Sequence, residues 1–332
     1  MALLTAGQRP GPRHHAERLG WQELPPTHIW ITHESLARRV SAIDAQVSGA
    51  SSVPLSAVCH RSDFELLADW FNRIFTWGRE VFGPEYPIGV EYRKHWEVVQ
   101  AARTMAVSGV LDGHSEILGV GAGNEPTIFW LTNHVGRVFA TDLYLRPGWE
   151  ESANAGMLLD PGRSWSGDWN PRRLVVQHMD ALDLQYEDAS FDGVFSSSSI
   201  EHFGGHDEVR HTVQEVHRVL KPGGVFSVST EILLAGSGPG LPGVLMFTWD
   251  QLFDLILSAA EWDMMGPVRK SPPESEVPIV SFAEAVEALE DHVDKHSEIV
   301  WSELDWPQYP HIVLEHEGLV WTSVHLALQK PV

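Results

Sequence analysis

Apolar positions recur at two periods along this chain. From Ser62, the residues Phe64, Leu67, Trp70, Phe71, Ile74 and Phe75 return every three or four positions, which predicts an amphipathic helix with Ser62 and Glu65 as its capping box. Its aromatic face either packs on the core or caps a binding site. The same period predicts helices over 33–47 (Leu36, Val40, Ile43, Val47), 98–107, 248–260 and the stretch holding Val209, Val213, Val216 and Leu220. A further helix opens at Ser281 and Glu284 and carries Phe282, Val286, Leu289 and Val293 on one face. Short apolar runs at 117–118, 138–140, 174–176, 191–195, 225–229 and 262–268 predict strands, and the alternating run 318–328 predicts a last one. Strands alternating with helices predict an α/β fold around a mostly parallel sheet.

One strand–loop–helix–strand unit organises the middle of the chain. The run ending at Leu118 leads into Gly119, Gly121 and Gly123, and the next strand ends on Asp142, about twenty residues on. Glycines allow a tight turn and close approach to a ligand, and an acid at the following strand end can accept from ribose hydroxyls. A dinucleotide fingerprint needs a third glycine at 124 or 126, where the chain has Asn124 and Pro126, so a nicotinamide dehydrogenase fits poorly.

This G-x-G-x-G loop is followed by Asp180-Ala181 past the third strand, the run from Phe191 to Phe203 at the fourth, and Lys221 to Gly224 before the fifth. In order and spacing these resemble the class I S-adenosylmethionine-dependent methyltransferases, of the small-molecule, type 11-like kind, over residues 116–230. Two positions depart: Gly119 stands where that family usually has an acid, and Glu125 where it often has a third glycine. The resemblance implies a Rossmann-like, doubly wound, seven-stranded, mostly parallel sheet with an N-terminal helical extension. Its expected parts are an arm and helical cap (1–108), the cofactor-binding core (109–268), an insertion acting as substrate lid or dimer contact (269–312) and a closing strand (313–332). The implied cofactor is S-adenosyl-L-methionine, held by Gly119, Gly121, Gly123, Asp142, Leu143, Asp180, Ala181 and Ser196. Asp180 and the Ala181 backbone would supply the acceptor and donor that adenine's edge requires. In the charged run 91–97, Arg93 is expected at the cofactor's carboxylate, with Tyr92 and Lys94 as the other candidates.

Lys and Arg total 23 against 45 Asp and Glu, a net charge of −22, which disfavours nucleic acid phosphates and anionic lipid. The expected partner is a small-molecule substrate, with neither nucleic acid nor membrane; a homodimer is one of the two options the insertion leaves open. The one cysteine, Cys59, excludes an internal disulfide framework and a Cys-based zinc site and suits a reducing cytoplasm. No apolar run approaches membrane-spanning length, so a soluble, cytoplasmic protein is expected. The arm to residue 26 is rich in Pro, Gly and Arg without periodicity. The long connection 143–173, with Trp165 and Trp169, is expected to wall the substrate site.

S-adenosylmethionine carries its own electrophile, so the protein must mainly align a nucleophile with it. A hydroxyl acceptor gains from a base, and Glu201 with His202 at the fourth strand's exit is the expected catalytic pair, His202 taking the proton and Glu201 orienting it. Glu231, past the fifth strand, is a further inward candidate. Some methyltransferases carry Glu-x-x-Glu-His at this exit and bind a divalent ion. Here Ser198 replaces the first Glu, and even with His206 or His211 as supplements no metal is assigned. The expected function is methyl transfer to a small polar acceptor, a sugar or natural-product hydroxyl. The alternatives are carbon or nitrogen methylation, or a catalytically silent cofactor-binding subunit.

Overall fold

The computed structural model describes residues 53–147, 152–296 and 309–332. The expected helix 33–47, the arm to residue 26 and residues 297–308 of the insertion lie outside them, as do the side chains of Leu289 and Val293.

The elements follow in the order β1 (Ser56–Val58), α1 (Ser62–Leu66), α2 (Ala68–Ile74), α3 (Gly78–Phe82), α4 (Arg93–Val107), β2 (Glu116–Val120), α5 (Pro126–Leu131), β3 (Arg137–Asp142), β4 (Leu174–His178) and β5 (Phe191–Ser197). Then come α6 (His206–Val219), β6 (Leu220–Ala235), β7 (Gly240–Leu241), β8 (Val244–Leu245), α7 (Trp249–Leu252), β9 (Asp263–Met264), β10 (Val268–Arg269), β11 (Ile279–Ser281), α8 (Phe282–His296), β12 (Val313–His316) and β13 (Leu319–Gln329).

The main sheet runs β10-β1-β13-β6-β5-β2-β3-β4. From β4 to β6 every pairing is parallel, and β13 closes antiparallel on β6, with Ser323 opposite Glu231. Side chains on successive strand positions go to opposite faces. Ile117 and Phe195 join the core with α1, α2, α4 and α5, whereas Leu118 and Val194 join the other with α6 and α7. Helices thus cover both faces, and the doubly wound α/β reading holds.

The strand count does not. The sheet has eleven strands among the described residues, where seven were expected. β1, from the segment read as a helical cap, pairs antiparallel with β13 and parallel with β10. The insertion contributes β11, which pairs with β12. The expected single strand over 262–268 divides into β9 and β10, because Gly266 turns at φ +122 and Pro267 has no N–H for a ladder.

The first helix is also divided. Leu67, at φ −107 and ψ 12, separates α1 from α2, and the Ser62 hydroxyl donates to Glu274 at 2.6 Å rather than capping its own helix. Phe64, Phe71, Ile74 and Phe75 are buried in the core, the plainer of the two readings. Trp165 and Trp169 pack on Phe129 of α5, with ring centroids 5.7 and 5.5 Å away, instead of walling the pocket described below. Among the described residues no helix is long and apolar enough to cross a membrane.

Candidate active site

The glycine loop leaves β2 and enters α5 at Pro126. Gly123 turns at φ +52, and a Cβ there would lie 2.2 Å from the Ser152 carbonyl oxygen, so no larger residue fits. Its N–H donates to Asp142 Oδ2 at 2.9 Å, and the Leu143 N–H donates to Asp142 Oδ1 at 2.6 Å. Burial raises the Asp142 carboxyl above its ordinary value, against the pull of these two donors. Met179 N–H donates to the Asp142 carbonyl at 3.0 Å, which brings the third strand's exit beside the second's. There Asp180 Oδ1 accepts from Leu182 N–H at 3.0 Å, Asp180 is exposed and Ala181 is buried.

Gly121 lies against the fourth strand's exit. A Cβ on it would approach Ser199 Cβ and the Phe203 ring at 2.7 Å, and the Ser199 hydroxyl donates to its carbonyl at 2.5 Å. Gly119 answers to packing: a Cβ would meet the Phe195 ring at 2.6 Å and Ala122 Cβ at 2.7 Å. The family's acid is thus replaced where Phe195 fills the space. Ser196 is buried, and its hydroxyl has no hydrogen-bond partner among the described residues.

Beyond this exit lies a pocket with a charged floor and an apolar wall. The floor holds Arg93, Lys94, Ser198, Glu201, His202 and Glu231, and Met246, Phe282, Leu314 and Trp321 are among the wall residues. α4 begins at Arg93, earlier than the apolar period indicated, so Arg93, Lys94 and Glu97 share its first turns. Arg93 Nη1 donates to both Glu231 oxygens at 2.8 Å and to the Ser323 hydroxyl at 2.8 Å. Lys94 Nζ donates to Glu97 at 3.0 Å, to Glu231 at 2.9 Å and to the Ser198 hydroxyl, and that hydroxyl donates to Glu97 at 2.7 Å. Arg93 Nη1 is therefore engaged by a protein carboxylate, while its Nε has no hydrogen-bond partner among the described residues.

The carboxyls of this cluster are driven apart. Burial pushes Glu231 upward, but Arg93 and Lys94 outweigh it and hold the group well below the carboxylate range. Burial, with the Glu231 charge beside it, raises Glu201 well above that range. Glu201 Oε2 accepts from the Thr230 hydroxyl at 2.8 Å. His202 Nδ1 meets the Gly243 carbonyl at 2.9 Å, and burial lowers the imidazole to about 4. A carbonyl only accepts, so Nδ1 carries the proton and Nε2 is the ring's acceptor. Gly243 is the residue that sequence reading missed here; nothing in the β7–β8 hairpin signals contact with a distant His.

His211 Nε2 faces the Leu182 carbonyl at 3.0 Å, away from the pocket, and no group of three or more His, Cys, Asp or Glu among the described residues is arranged to hold a metal.

Residues 118–228 match the family described as methyltransferase domain. Over these residues, less than half of its length, the chain carries a methyltransferase domain, and S-adenosyl-L-methionine is the cofactor that such a domain implies. Among individual proteins, it is 32% identical over 126 residues to 27-O-demethylrifamycin SV methyltransferase of Amycolatopsis mediterranei (strain S699); the match spans 38% of this chain and 41% of that protein. Solved structures similar to it include the cyclase SpnF, at 18% identity and a TM-score of 0.44 over 85% of this chain and 100% of that one. Another is an S-adenosylmethionine-dependent methyltransferase from Mesorhizobium loti, at 15% identity and a TM-score of 0.41 over 69% of this chain and 96% of that one.

Proposed function

We propose that this protein transfers a methyl group from S-adenosylmethionine to a hydroxyl of a small molecule with an apolar body and a polar end. The observation that carries this reading is the imidazole of His202, held by the Gly243 carbonyl so that Nε2 accepts, on the floor of a pocket whose wall is apolar. The cofactor supplies an electrophilic methyl on a cationic sulfur. The chain's residues do the rest.

Asp142 keeps a further lone pair on each oxygen after its two backbone donors, which suits the two ribose hydroxyls, and Asp180 with Ala181 is beside it for the adenine. Gly121 and Gly123 leave the backbone open to close approach. At the pocket floor, His202 Nε2 takes the hydroxyl proton while Glu201, in its acid form at neutral pH, donates to a polar atom of the acceptor. The Arg93–Glu231–Lys94 cluster fixes the floor.

Phe282 and Ala285 of α8 line the pocket, which favours a covering role for the insertion over a dimer contact. The relative from Amycolatopsis mediterranei is named for a 27-O-demethyl substrate, which supports oxygen as the accepting atom. The net charge of −22 favours a small molecule over nucleic acid. The test is a screen of hydroxylated natural products and sugars with isotopically labelled methyl donor, read by mass spectrometry. A product labelled on oxygen is the expected result; label only on carbon or nitrogen would reject the reading.

A further inference from the structure

A carboxylate with no counterpart in the glycine motif stands at the end of the loop. Glu125 precedes Pro126 at the start of α5, and its Oε2 is buried with no hydrogen-bond partner among the described residues. A buried carboxylate oxygen without a partner is costly, and such groups in native folds ordinarily answer to a ligand or a functional role. The Ser197 hydroxyl at the end of β5, Glu97 and Lys94 of α4, and the phenol of Tyr144 all lie close enough to influence or be influenced by its charge. Tyr144 itself donates to the Gly123 carbonyl at 2.7 Å, so it is tied to the loop. Lys94 donates its hydrogen bonds to Glu97, Glu231 and Ser198, and acts on Glu125 only through its charge. Burial, opposed by Lys94 and Ser197 and assisted by Glu97, lifts this carboxyl to about 8.

We infer that Glu125 is the anionic partner of the cofactor's α-ammonium group. The reasoning rests on the S-adenosylmethionine reading above and deepens it. The ligand brings a cation on its amino-acid end, and the usual acid of the loop is absent because Phe195 occupies the space beside Gly119. Glu125 restores a negative charge six residues on, between the glycine loop and the pocket floor, with one oxygen left to accept. The carboxyl is mainly protonated at neutral pH without ligand. Taking up an ammonium group favours its ionised form, so one proton leaves for solvent as the pair forms.

Calorimetry with two probes tests this. S-adenosylhomocysteine has the ammonium group; 5′-methylthioadenosine shares its adenosine and sulfur but lacks the amino-acid end. Glu125→Gln should weaken S-adenosylhomocysteine by about ten- to a hundredfold, the range for a hydrogen bond to a charged group, and leave methylthioadenosine unchanged. Wild-type binding of S-adenosylhomocysteine near pH 7, measured in buffers of different ionisation enthalpy, should show proton release that is absent with methylthioadenosine. Its affinity should rise as the pH approaches 8. Unchanged S-adenosylhomocysteine affinity in Glu125→Gln, equal weakening of both probes, or absence of proton release in the wild type each overturns the assignment while the cofactor reading stands. A wild type that binds neither probe overturns both.

Discussion

Arg93 at the start of α4 and Glu231 on β6 are 138 residues apart in sequence and joined by two hydrogen bonds of 2.8 Å, both from the same guanidinium nitrogen. Both side chains are buried, at 6% exposure each. The pair ties the helix that opens the pocket to the strand that floors it, and Ser323 of β13 adds a third element.

Breaking that pair leaves an unmatched buried charge. Glu231→Gln should destabilise the fold by about 3 to 5 kcal/mol, the usual cost of removing one partner. Urea unfolding at neutral pH checks this, and a midpoint equal to wild type would show the pair to be dispensable.

The same carboxylate sets an acid limb. Glu231 is depressed in the folded protein, so it contributes stability above the unfolded carboxylate value and loses it as the pH falls through its folded value. The wild-type urea midpoint should fall on acidification below the ordinary carboxylate range, more steeply than that of Glu231→Gln. Parallel curves for the two proteins would contradict the assignment.

His202→Ala should lower turnover by about 10²- to 10⁴-fold, the usual contribution of a general base, with S-adenosylhomocysteine affinity unchanged. Because burial holds the ring at about 4, wild-type turnover should stay level through neutrality and fall only as the pH drops toward that value. A rate that instead rises through about pH 6.5, the ordinary imidazole value, would place the ring in an open setting. Near-wild-type turnover of the variant would point to a carbon or nitrogen acceptor.

Glu201 should act as an acid at neutral pH, since burial and Glu231 raise it. Glu201→Gln keeps the shape and a donor, so it should keep most of the activity, whereas Glu201→Ala should not. Loss of turnover in Glu201→Gln equal to that of His202→Ala would mean that the ionised carboxylate is the base.

Asp142→Ala should weaken S-adenosylhomocysteine by about ten- to a hundredfold, because hydrogen bonds to a charged group contribute about 1.5 to 3 kcal/mol. An unchanged dissociation constant would remove Asp142 from the ribose site. Gly123→Ala should abolish binding, since its Cβ would collide with the Ser152 carbonyl at 2.2 Å.

By itself the sequence determined the parts that are local in the chain. The apolar runs placed β2, β3, β4, β5 and β13, the glycine run marked the turn from β2 into α5, and the run from Ser196 to His202 holds residues that line the pocket. Each depends on residues that are neighbours or one turn apart, where periodicity and backbone freedom act directly. Tertiary structure decided the partners. Arg93 meets Glu231, His202 meets the Gly243 carbonyl, and β1 joins a sheet whose other strands begin 60 residues later. Those pairings follow from which buried groups meet when the helices and strands pack. Burial strengthens each charge's effect on its neighbours, so even the protonation of Glu201 and His202 was settled by contacts the linear pattern does not contain.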